Sequence, residues 1–356
     1  MTTNPAKILA ALAIIYAGFV CVLWRGGSAL DGVLQAARPG DFLSGRLAAK
    51  VDRAVSDAIP RSASFDGLMA GMIYRLLGDA GAQVQAGCND WLYSAEELRL
   101  ERQQAETIVA RLKMLPHLSQ SFAERGILLI VVPIPDKAEQ VEEQLCGLAA
   151  AQSRRRARLW AAASASIPIH QVDLRHGWPR PGYWRTDTHW DHAGARFAAE
   201  LVASLVNDRL GPGTDRINLT VGATHERAGD LARLAGLTEA PAWLAPAKEY
   251  ETEVRAMIQR TGGLLDEVAG PSVILAGSSF SLNSGFAEYL QAALSREVAQ
   301  LSQAGGGFAG ALLDILDHKP GILASAKVVI WEWPMRSLAA PLSDPERRVL
   351  WQEGDH

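Results

Sequence analysis

The sequence predicts an α/β fold in which helices cover both faces of a mostly parallel sheet. Short apolar runs alternate with helical stretches between residues 127 and 331. Residues 127–132 are apolar without interruption and are bounded by Gly126 and Pro133, as in a strand buried on both faces. Ligands of such sheets bind beyond the carboxyl ends of the strands, so functional side chains are expected there.

Composition limits the function classes. The chain has 356 residues and a net charge of -4, so no nucleic-acid partner is expected. Its three cysteines lack the C-x-x-C spacing of metal sites. Cys88 and Cys146 are interpreted either as a disulfide or as two unpaired thiols.

The N-terminal segment is apolar. Residues 8–24 are apolar or small, with Lys7 before them and Arg25 after them. Their length is at the short end for a membrane span. A cleaved signal peptide is the alternative, but Trp24 at the expected interface favours an uncleaved anchor.

Three helical stretches precede the sheet. A small, Gly-containing linker over residues 26–40 leads into them. Apolar residues then recur at helical spacing over residues 41–59, 65–77 and 96–125. Residues 87–93 are predicted to form a turn and a short strand. Pro116 is expected to kink the third helix.

The alternating region contains four predicted strands. They cover residues 127–132, 169–174, 272–276 and 327–331. The helices predicted between them cover residues 154–166, 193–209 and 282–300. Residues 210–269 fit neither pattern and are expected to leave the core as an excursion.

Asp187 and His189 are two residues apart, a spacing that puts both side chains on one side of an extended segment. A carboxylate bonded to an imidazole fixes the imidazole tautomer, which is half of a nucleophile–base–orienter triad. Two alternatives remain open. His189 and His192 with one of the neighbouring Asp187 and Asp191 would suit zinc or iron, and the same residues also suit ordinary structural contacts.

Ser279 follows a predicted strand and precedes a predicted helix. Its hydroxyl would stand at the rim of the sheet, where N–H groups at the helix start stabilise an oxyanion. Ser278 and Ser281 compete for the nucleophile role, and Ser278, directly after Gly277, is the favoured backbone contributor. A simple helix N-cap is the alternative interpretation of Ser279.

Other polar and aromatic residues lie near predicted strand ends. Glu332 and Arg336 either brace the site or form a surface pair, and Lys137 is expected to be solvated. Aromatic faces at strand ends either stack on sugar rings or fill the core. Four tryptophans occupy such positions: Trp184, Trp190, Trp331 and Trp333.

Five motifs in order resemble one known family. Asp187-Thr188-His189-Trp190 and the downstream Gly277-Ser278-Ser279-Phe280 are similar to motifs of SGNH-hydrolase-like alginate O-acetyltransferases of the AlgJ and AlgX type. Residues 87–93, residues 133–137, and residues 331–333 with Arg336 are similar to three further motifs. The resemblance covers about residues 81–338. It implies a flavodoxin-like, SGNH-type sheet.

The resemblance also implies residue roles. Ser279 would be the nucleophile, His189 the base and Asp187 its orienter, with no metal and no cofactor. The serine comes last, whereas ordinary SGNH hydrolases have it first, so the arrangement is permuted. Four further residues would line the oxyanion site or support the triad from outside it: Gly277, Ser278, Trp190 and Arg336.

The activity implied is O-acetylation of an alginate-like exopolysaccharide or of acetylated cellulose, through an acetyl-serine. The location implied is the bacterial inner membrane, single-pass, with the catalytic domain in the periplasm, as in the AlgJ-like branch. The implied partners are a membrane-bound O-acyltransferase as acetyl donor, other polysaccharide acetylation and export proteins, and the polysaccharide acceptor. An acetyl esterase and a non-catalytic scaffold of an export complex are the alternatives.

The predicted domain layout has four parts. Residues 1–25 are the anchor, and residues 26–80 are a linker and helical stalk. Residues 81–340 are the acetyltransferase domain, and residues 341–356 are a tail.

Overall fold

The computed structural model describes residues 30–58, 62–99, 104–259 and 270–354, together with residues 16, 18, 20, 24 and 27. The chain divides into two compact units. One unit combines the described residues up to Ala80 with Gly236–Ala245. The other contains Gly81–Ala235 and the residues from Pro246 onward, and it holds the sheet and the candidate site.

The elements are numbered along the chain. The α-helices are α1 (Pro39–Leu43), α2 (Arg46–Ala58), α3 (Ala63–Leu77), α4 (Ala95–Leu98), α5 (Gln104–Glu124), α6 (Lys137–Gln140), α7 (Ala151–Ser164), α8 (His192–Leu210), α9 (Asp230–Leu234), α10 (Phe286–Leu294), α11 (Gly310–His318) and α12 (Asp344–Gly354). The strands are β1 (Val84–Ala86), β2 (Leu92–Ser94), β3 (Leu128–Ile134), β4 (His170–Gln171), β5 (Arg216–Arg227), β6 (Glu249–Gln259), β7 (Val273–Ala276), β8 (Val298–Gln300) and β9 (Val328–Pro334).

The predicted membrane anchor is wrong for the part of the chain that the structure describes. A spanning helix needs about 20 consecutive, mostly apolar residues. Among the described helices, none combines that length with that apolarity. Most of residues 8–24 lie outside the described residues. The predicted single-pass location in the inner membrane is therefore wrong for the described residues.

The smaller unit is built around α3. Ser62 caps this helix by accepting the Phe65 N–H at 3.2 Å, and Gly78 ends it in the left-handed conformation. Residues 236–245 pack closely on α3 because a Cβ on Gly67 would lie only 2.3 Å from the Glu239 carbonyl oxygen. The predicted helix over residues 65–77 is thus confirmed, and it begins two residues earlier than predicted.

The larger unit contains a five-stranded parallel sheet in the order β4-β3-β9-β7-β8. The prediction of an α/β fold with a mostly parallel sheet is confirmed. The predicted helix over residues 282–300 is wrong at its C-terminal end. The helix α10 stops at Leu294, Ser295 adopts a left-handed conformation, and β8 then pairs with β7.

Both faces of this sheet are apolar and are buried under helices. In β3, Ile130 and Val132 face a core that includes residues of α8 and α10. Leu129 and Val131 face the opposite core, which includes residues of α5 and α11. Successive side chains of a strand point to opposite faces, so an unbroken apolar run is what two covered faces require.

The third predicted helix is divided. Its first turn is α4, which ends at Arg99 in extended backbone, and α5 runs from Gln104 with Pro116 inside it. Residues 210–269 contain the expected excursion. It is an antiparallel pair of long strands, β5 and β6, with a bulge between Val221 and Thr224.

Cys88 and Cys146 form a disulfide, with their Cα atoms 5.4 Å apart. The sequence left a disulfide and two unpaired thiols open, and the structure contains the disulfide. It joins the turn before β2 to the segment after α6. Cys88 N–H also donates to the carbonyl of Gln144 at 2.8 Å, so this contact is held by main chain as well.

The segment predicted as a tail contains α12, which is anchored by a buried ion pair. Arg111 of α5 donates to both carboxylate oxygens of Glu346, at 2.8 and 3.0 Å. Each side chain is only 2% exposed. The Arg111 guanidinium also donates to the Leu338 carbonyl at 3.1 Å, which satisfies the remaining donors in part.

Replacing Arg111 with Met is expected to lower the free energy of unfolding by about 3 kcal/mol or more, because it leaves the Glu346 carboxylate buried without its cation. The double variant Arg111→Met/Glu346→Leu should lose less. Urea unfolding of the two variants and of Arg347→Met, an exposed arginine of α12, measures this. Equal losses for Arg111→Met and Arg347→Met would contradict the expectation.

Candidate active site

Asp187 and His189 lie in a tight loop beyond the carboxyl end of the sheet. Tyr183 and Trp190 form an antiparallel bridge at its base, and Trp184 N–H donates to the His189 carbonyl at 3.2 Å. The residues between them form turns and bends. The two side chains therefore meet because the loop turns, and the extended backbone expected from their spacing is absent from this segment.

Three side chains from two distant parts of the chain meet there. The Ser279 hydroxyl lies 2.8 Å from His189 Nε2. His189 Nδ1 lies 2.6 Å from Asp187 Oδ1. An ionised carboxylate only accepts, so Nδ1 carries the proton, and the Nε2 lone pair faces the Ser279 hydroxyl. This is the geometry of a nucleophile, a general base and an orienting acid.

Both oxygens of Asp187 are engaged. Oδ1 also accepts the His189 N–H at 2.9 Å. Oδ2 accepts from Arg227 Nη2 at 3.0 Å and from the Asp230 N–H at 3.1 Å. Burial opposes ionisation of this carboxyl, but the hydrogen bonds from His189 and the positive charge of Arg227 outweigh it. The pKa of Asp187 is therefore held well below its usual value.

Carboxylates of neighbouring elements hold the main chain of the same loop. Glu249 of β6 accepts the N–H groups of Arg185 and Thr186, at 2.8 and 2.9 Å. Asp230, at the start of α9, accepts the Thr188 N–H at 2.7 Å. Sequence reasoning missed Arg227, Asp230 and Glu249. They lie in the region without periodicity, and no sequence pattern indicated their contacts.

Ser279 follows β7 in a turn that is organised by a buried acid. Glu332 of β9 accepts the N–H and the hydroxyl of Ser278, both at 2.8 Å, and the Ser281 hydroxyl at 2.6 Å. Burial raises the pKa of Glu332, and these donors oppose that rise. Since β7 and β9 are adjacent strands, Glu332 stands directly beside the turn and fixes its shape.

This arrangement corrects two sequence expectations. The Ser278 N–H does not face an oxyanion, because it donates to Glu332. The Gly277 N–H donates to the Ser302 hydroxyl at 3.1 Å. Gly277 is instead needed for space, since a Cβ there would lie 2.1 Å from Ser281 Oγ. Ser281 is committed to Glu332 and is not positioned as a nucleophile.

One main-chain donor of the turn has no acceptor among the described residues. It is the N–H of Ser279, since neither main-chain nor side-chain hydrogen bonds engage it there. The neighbouring Phe280 N–H donates to Ser278 Oγ at 3.2 Å. The Ser279 N–H is therefore the donor of this turn that is left for an oxygen of a bound molecule.

The fold and this geometry agree with the similarity to known proteins. A family model described as an SGNH hydrolase-like domain, acetyltransferase AlgX, matches residues 84–335. The chain belongs to this family. The family inferred from the five sequence motifs is thereby confirmed.

Named relatives are similar over most of the chain. A probable alginate O-acetylase AlgJ of Pseudomonas fluorescens is 26% identical over 351 residues, covering 92% of this chain and 88% of that protein. The protein of the same name from Azotobacter vinelandii is 25% identical over 316 residues, covering 83% and 80%.

Solved structures share the fold. The O-acetyltransferase domain of Pseudomonas putida AlgJ matches with a TM-score of 0.65 and 23% identity, covering 77% of this chain and all of that domain. AlgX of Pseudomonas aeruginosa matches with a TM-score of 0.57 and 19% identity, covering 75% of this chain and 65% of that chain.

Within this acetyltransferase fold, Trp190 is a core residue. Its side chain is fully buried, and its indole N–H donates to the Phe280 carbonyl at 3.1 Å. Its ring lies 4.8 Å from that of Phe286. Trp331 and Trp333 are buried as well. The sequence left sugar stacking and core packing open for these aromatics. Trp190, Trp331 and Trp333 all pack in the core.

Arg336 lies beside the site but does not pair with Glu332. Its guanidinium is 5.4 Å from the ring centre of Phe280 and 3.6 Å from Glu97. It lines a cleft of about 320 Å³ together with Thr188 and Asp230. The cleft therefore borders Thr188, which lies between Asp187 and His189 in the chain, and Asp230, whose N–H donates to Asp187.

The metal site of two histidines and one aspartate that the sequence left open does not assemble. Asp191 caps α8 by accepting the Gly194 N–H at 2.9 Å, and His192 Nδ1 lies 3.1 Å from the Tyr289 hydroxyl. Asp187 and His189 do lie near Asp230 in a cluster that offers ligand atoms. However, Arg227 already contacts Asp187, and its positive charge opposes a cation there.

Replacing Arg227 with Met should destabilise the protein by about 3 kcal/mol at pH 7, because it removes the cation from a buried carboxylate. Asp187 has a folded pKa below its unfolded one, so its stabilising contribution is complete above the ordinary aspartate pKa of about 4. The contribution falls as the pH decreases towards the folded pKa. The stability gap between parent and variant should therefore shrink below about pH 4.

Urea unfolding at pH 7, 5 and 3 measures this gap. Arg216→Met, which removes an exposed arginine of the same strand, is the matched control and should show little effect. A gap that stays constant from pH 7 to pH 3, or that equals the control, would show that Arg227 does not stabilise the ionised Asp187.

Proposed function

We propose that this protein is an O-acetyltransferase of exopolysaccharide modification that works through an acetyl-serine on Ser279. The main support is the 2.8 Å contact between Ser279 Oγ and His189 Nε2, with Nδ1 of the same ring 2.6 Å from Asp187. The family supports the reaction class. The names of the relatives support alginate as the acceptor polymer.

In the first half-reaction, Ser279 Oγ forms a bond to the carbonyl carbon of the acetyl donor while His189 Nε2 takes the hydroxyl proton. The imidazolium is stabilised by the ionised Asp187. The carbonyl oxygen becomes an oxyanion, to which the unengaged Ser279 N–H donates. The bond from the carbonyl carbon to the donor sulfur or oxygen then breaks, and that atom leaves with the proton from His189.

In the second half-reaction, a sugar hydroxyl gives its proton to His189 and attacks the acetyl-serine carbonyl. Collapse returns the proton to Ser279 Oγ and releases the acetylated sugar. The proposed acetyl source is a thioester or ester carried by a partner, a membrane-bound O-acyltransferase. Other polysaccharide acetylation proteins are the further proposed partners.

The nucleophile is tested with a chromogenic acetate ester in place of the donor. The parent protein should release acetate and carry one acetyl group on Ser279, located by mass spectrometry of its peptides. Ser279→Ala and His189→Ala should lose about 10⁴-fold in kcat, because either change removes the activated hydroxyl.

Two variants serve as matched controls for this experiment. Ser166→Ala changes an exposed serine, and His192→Ala changes a nearby histidine outside the Ser279–His189–Asp187 set. Both should keep the parent rate. Turnover of Ser279→Ala at the parent rate, or acetyl on another residue, would contradict the assignment.

Transfer to a sugar is separated from hydrolysis by the product. The acetylated protein is mixed with alginate oligosaccharides, and the oligosaccharides are analysed by mass spectrometry. An acetyltransferase yields oligosaccharides heavier by one acetyl group, whereas an esterase yields only free acetate. The acetylated oligosaccharides and the free acetate together should account for all the acetyl groups lost from the protein, which is the control.

A further inference from the structure

Lys137 is buried directly beneath the loop that carries Asp187 and His189. It begins α6 immediately after β3, and its side chain is only 1% exposed. The solvated position expected from the sequence is therefore wrong. Its ammonium group donates to the carbonyl oxygens of Leu92 at 2.6 Å, Arg185 at 2.9 Å and Asp187 at 2.9 Å.

These contacts use the full donor capacity of the side chain. A lysine ammonium has three N–H donors, and each has one carbonyl acceptor here. The rings of Trp91 and Tyr93 lie 5.0 and 5.3 Å from Nζ and add cation–π attraction. Burial lowers the pKa of Lys137 to about 8, although Glu97 and Asp187 favour the charged form.

A buried cation is costly, so its contacts indicate what it stabilises. Two of its three acceptors belong to the five-residue segment that ends at His189. The Arg185 carbonyl also accepts the Leu92 N–H at 3.0 Å, which joins this segment to β2. Lys137 therefore ties the segment to two other parts of the fold at once.

The opposite side of the segment faces negative charge. Three of its N–H groups donate to Glu249 and Asp230, while two of its carbonyls accept from Lys137. Peptide dipoles between a cation and two carboxylates have one favoured orientation. That orientation sets where the Asp187 carboxylate points, and with it the direction of the His189 ring.

We propose that Lys137 is a positioning residue for acyl transfer at Ser279, acting by holding the carbonyls of Arg185 and Asp187. The inference rests on the proposed function for its kinetic consequence. Lys137 does not reach the reacting atoms. It sets the direction of the Asp187–His189 hydrogen bond, and a misplacement of about 1 Å there lowers the rate by about 100-fold.

Lys137→Met tests the proposal, since it keeps an unbranched chain but has no charge and no donor. With the chromogenic acetate ester, kcat should fall by about 100-fold with little change in KM. Lys137→Arg restores the charge and the donors and should recover part of the loss. Lys113→Met, which changes an exposed lysine of α5, is the matched control and should keep the parent kcat.

A second measurement does not depend on catalysis. The proton between His189 Nδ1 and Asp187 Oδ1, in a 2.6 Å hydrogen bond, gives a far-downfield signal in one-dimensional proton NMR. This signal, assigned by its loss in His189→Ala, should be displaced or lost in Lys137→Met and unchanged in Lys113→Met. If Ser279 is never acetylated, the proposed function fails, yet this signal still tests the role of Lys137.

A folded Lys137→Met with the parent kcat and an unmoved downfield signal would overturn the proposal. So would a variant that changes KM alone. If Lys137→Met does not fold, as judged by circular dichroism and thermal unfolding, Lys137→Gln replaces it. The same two results then decide, because the glutamine keeps donors but has no charge and is shorter.

Discussion

The Asp187 carboxylate is the constraint on which the site depends. It is 2% exposed, and a buried carboxylate is tolerated only when cations and hydrogen-bond donors compensate it. One oxygen faces His189, and the other faces Arg227 and the Asp230 N–H. Movement of any of these partners leaves charge uncompensated, so the loop, the β5–β6 pair and α9 hold one another in place.

The sheet supplies the other half of the site. The strands β7 and β9 are parallel neighbours, so their carboxyl ends lie side by side. That adjacency brings Glu332 to the Ser278 N–H and fixes the turn that presents Ser279. The nucleophile is thus held by hydrogen bonds to a buried acid, and the base is held by a charge network on the opposite side. The 2.8 Å contact between Ser279 and His189 joins the two halves.

Sequence patterns predicted the elements that show a regular pattern of neighbouring residues. Unbroken apolar runs indicated strands covered on both faces, and β3, β7 and β9 lie close to the predicted ranges. The strand β8 was missed because Val298–Gln300 is too short to show a period and follows a helix without a break signal. The predicted anchor was wrong, since no helix among the described residues is long and apolar enough to cross a membrane, and most of residues 8–24 lie outside them.

The sequence by itself determined the sheet-forming runs and the family, and it predicted Ser279, His189 and Asp187 as the candidate site residues. These follow from periodicity and from short motifs, which are properties of neighbouring residues. Only the tertiary structure decided the partners of those residues: Lys137 buried under the loop, Arg227 on Asp187, and Glu332 on Ser278. Each of these contacts joins residues about 40 or more positions apart. Such contacts leave no local pattern, since burial and charge compensation act through space and not along the chain.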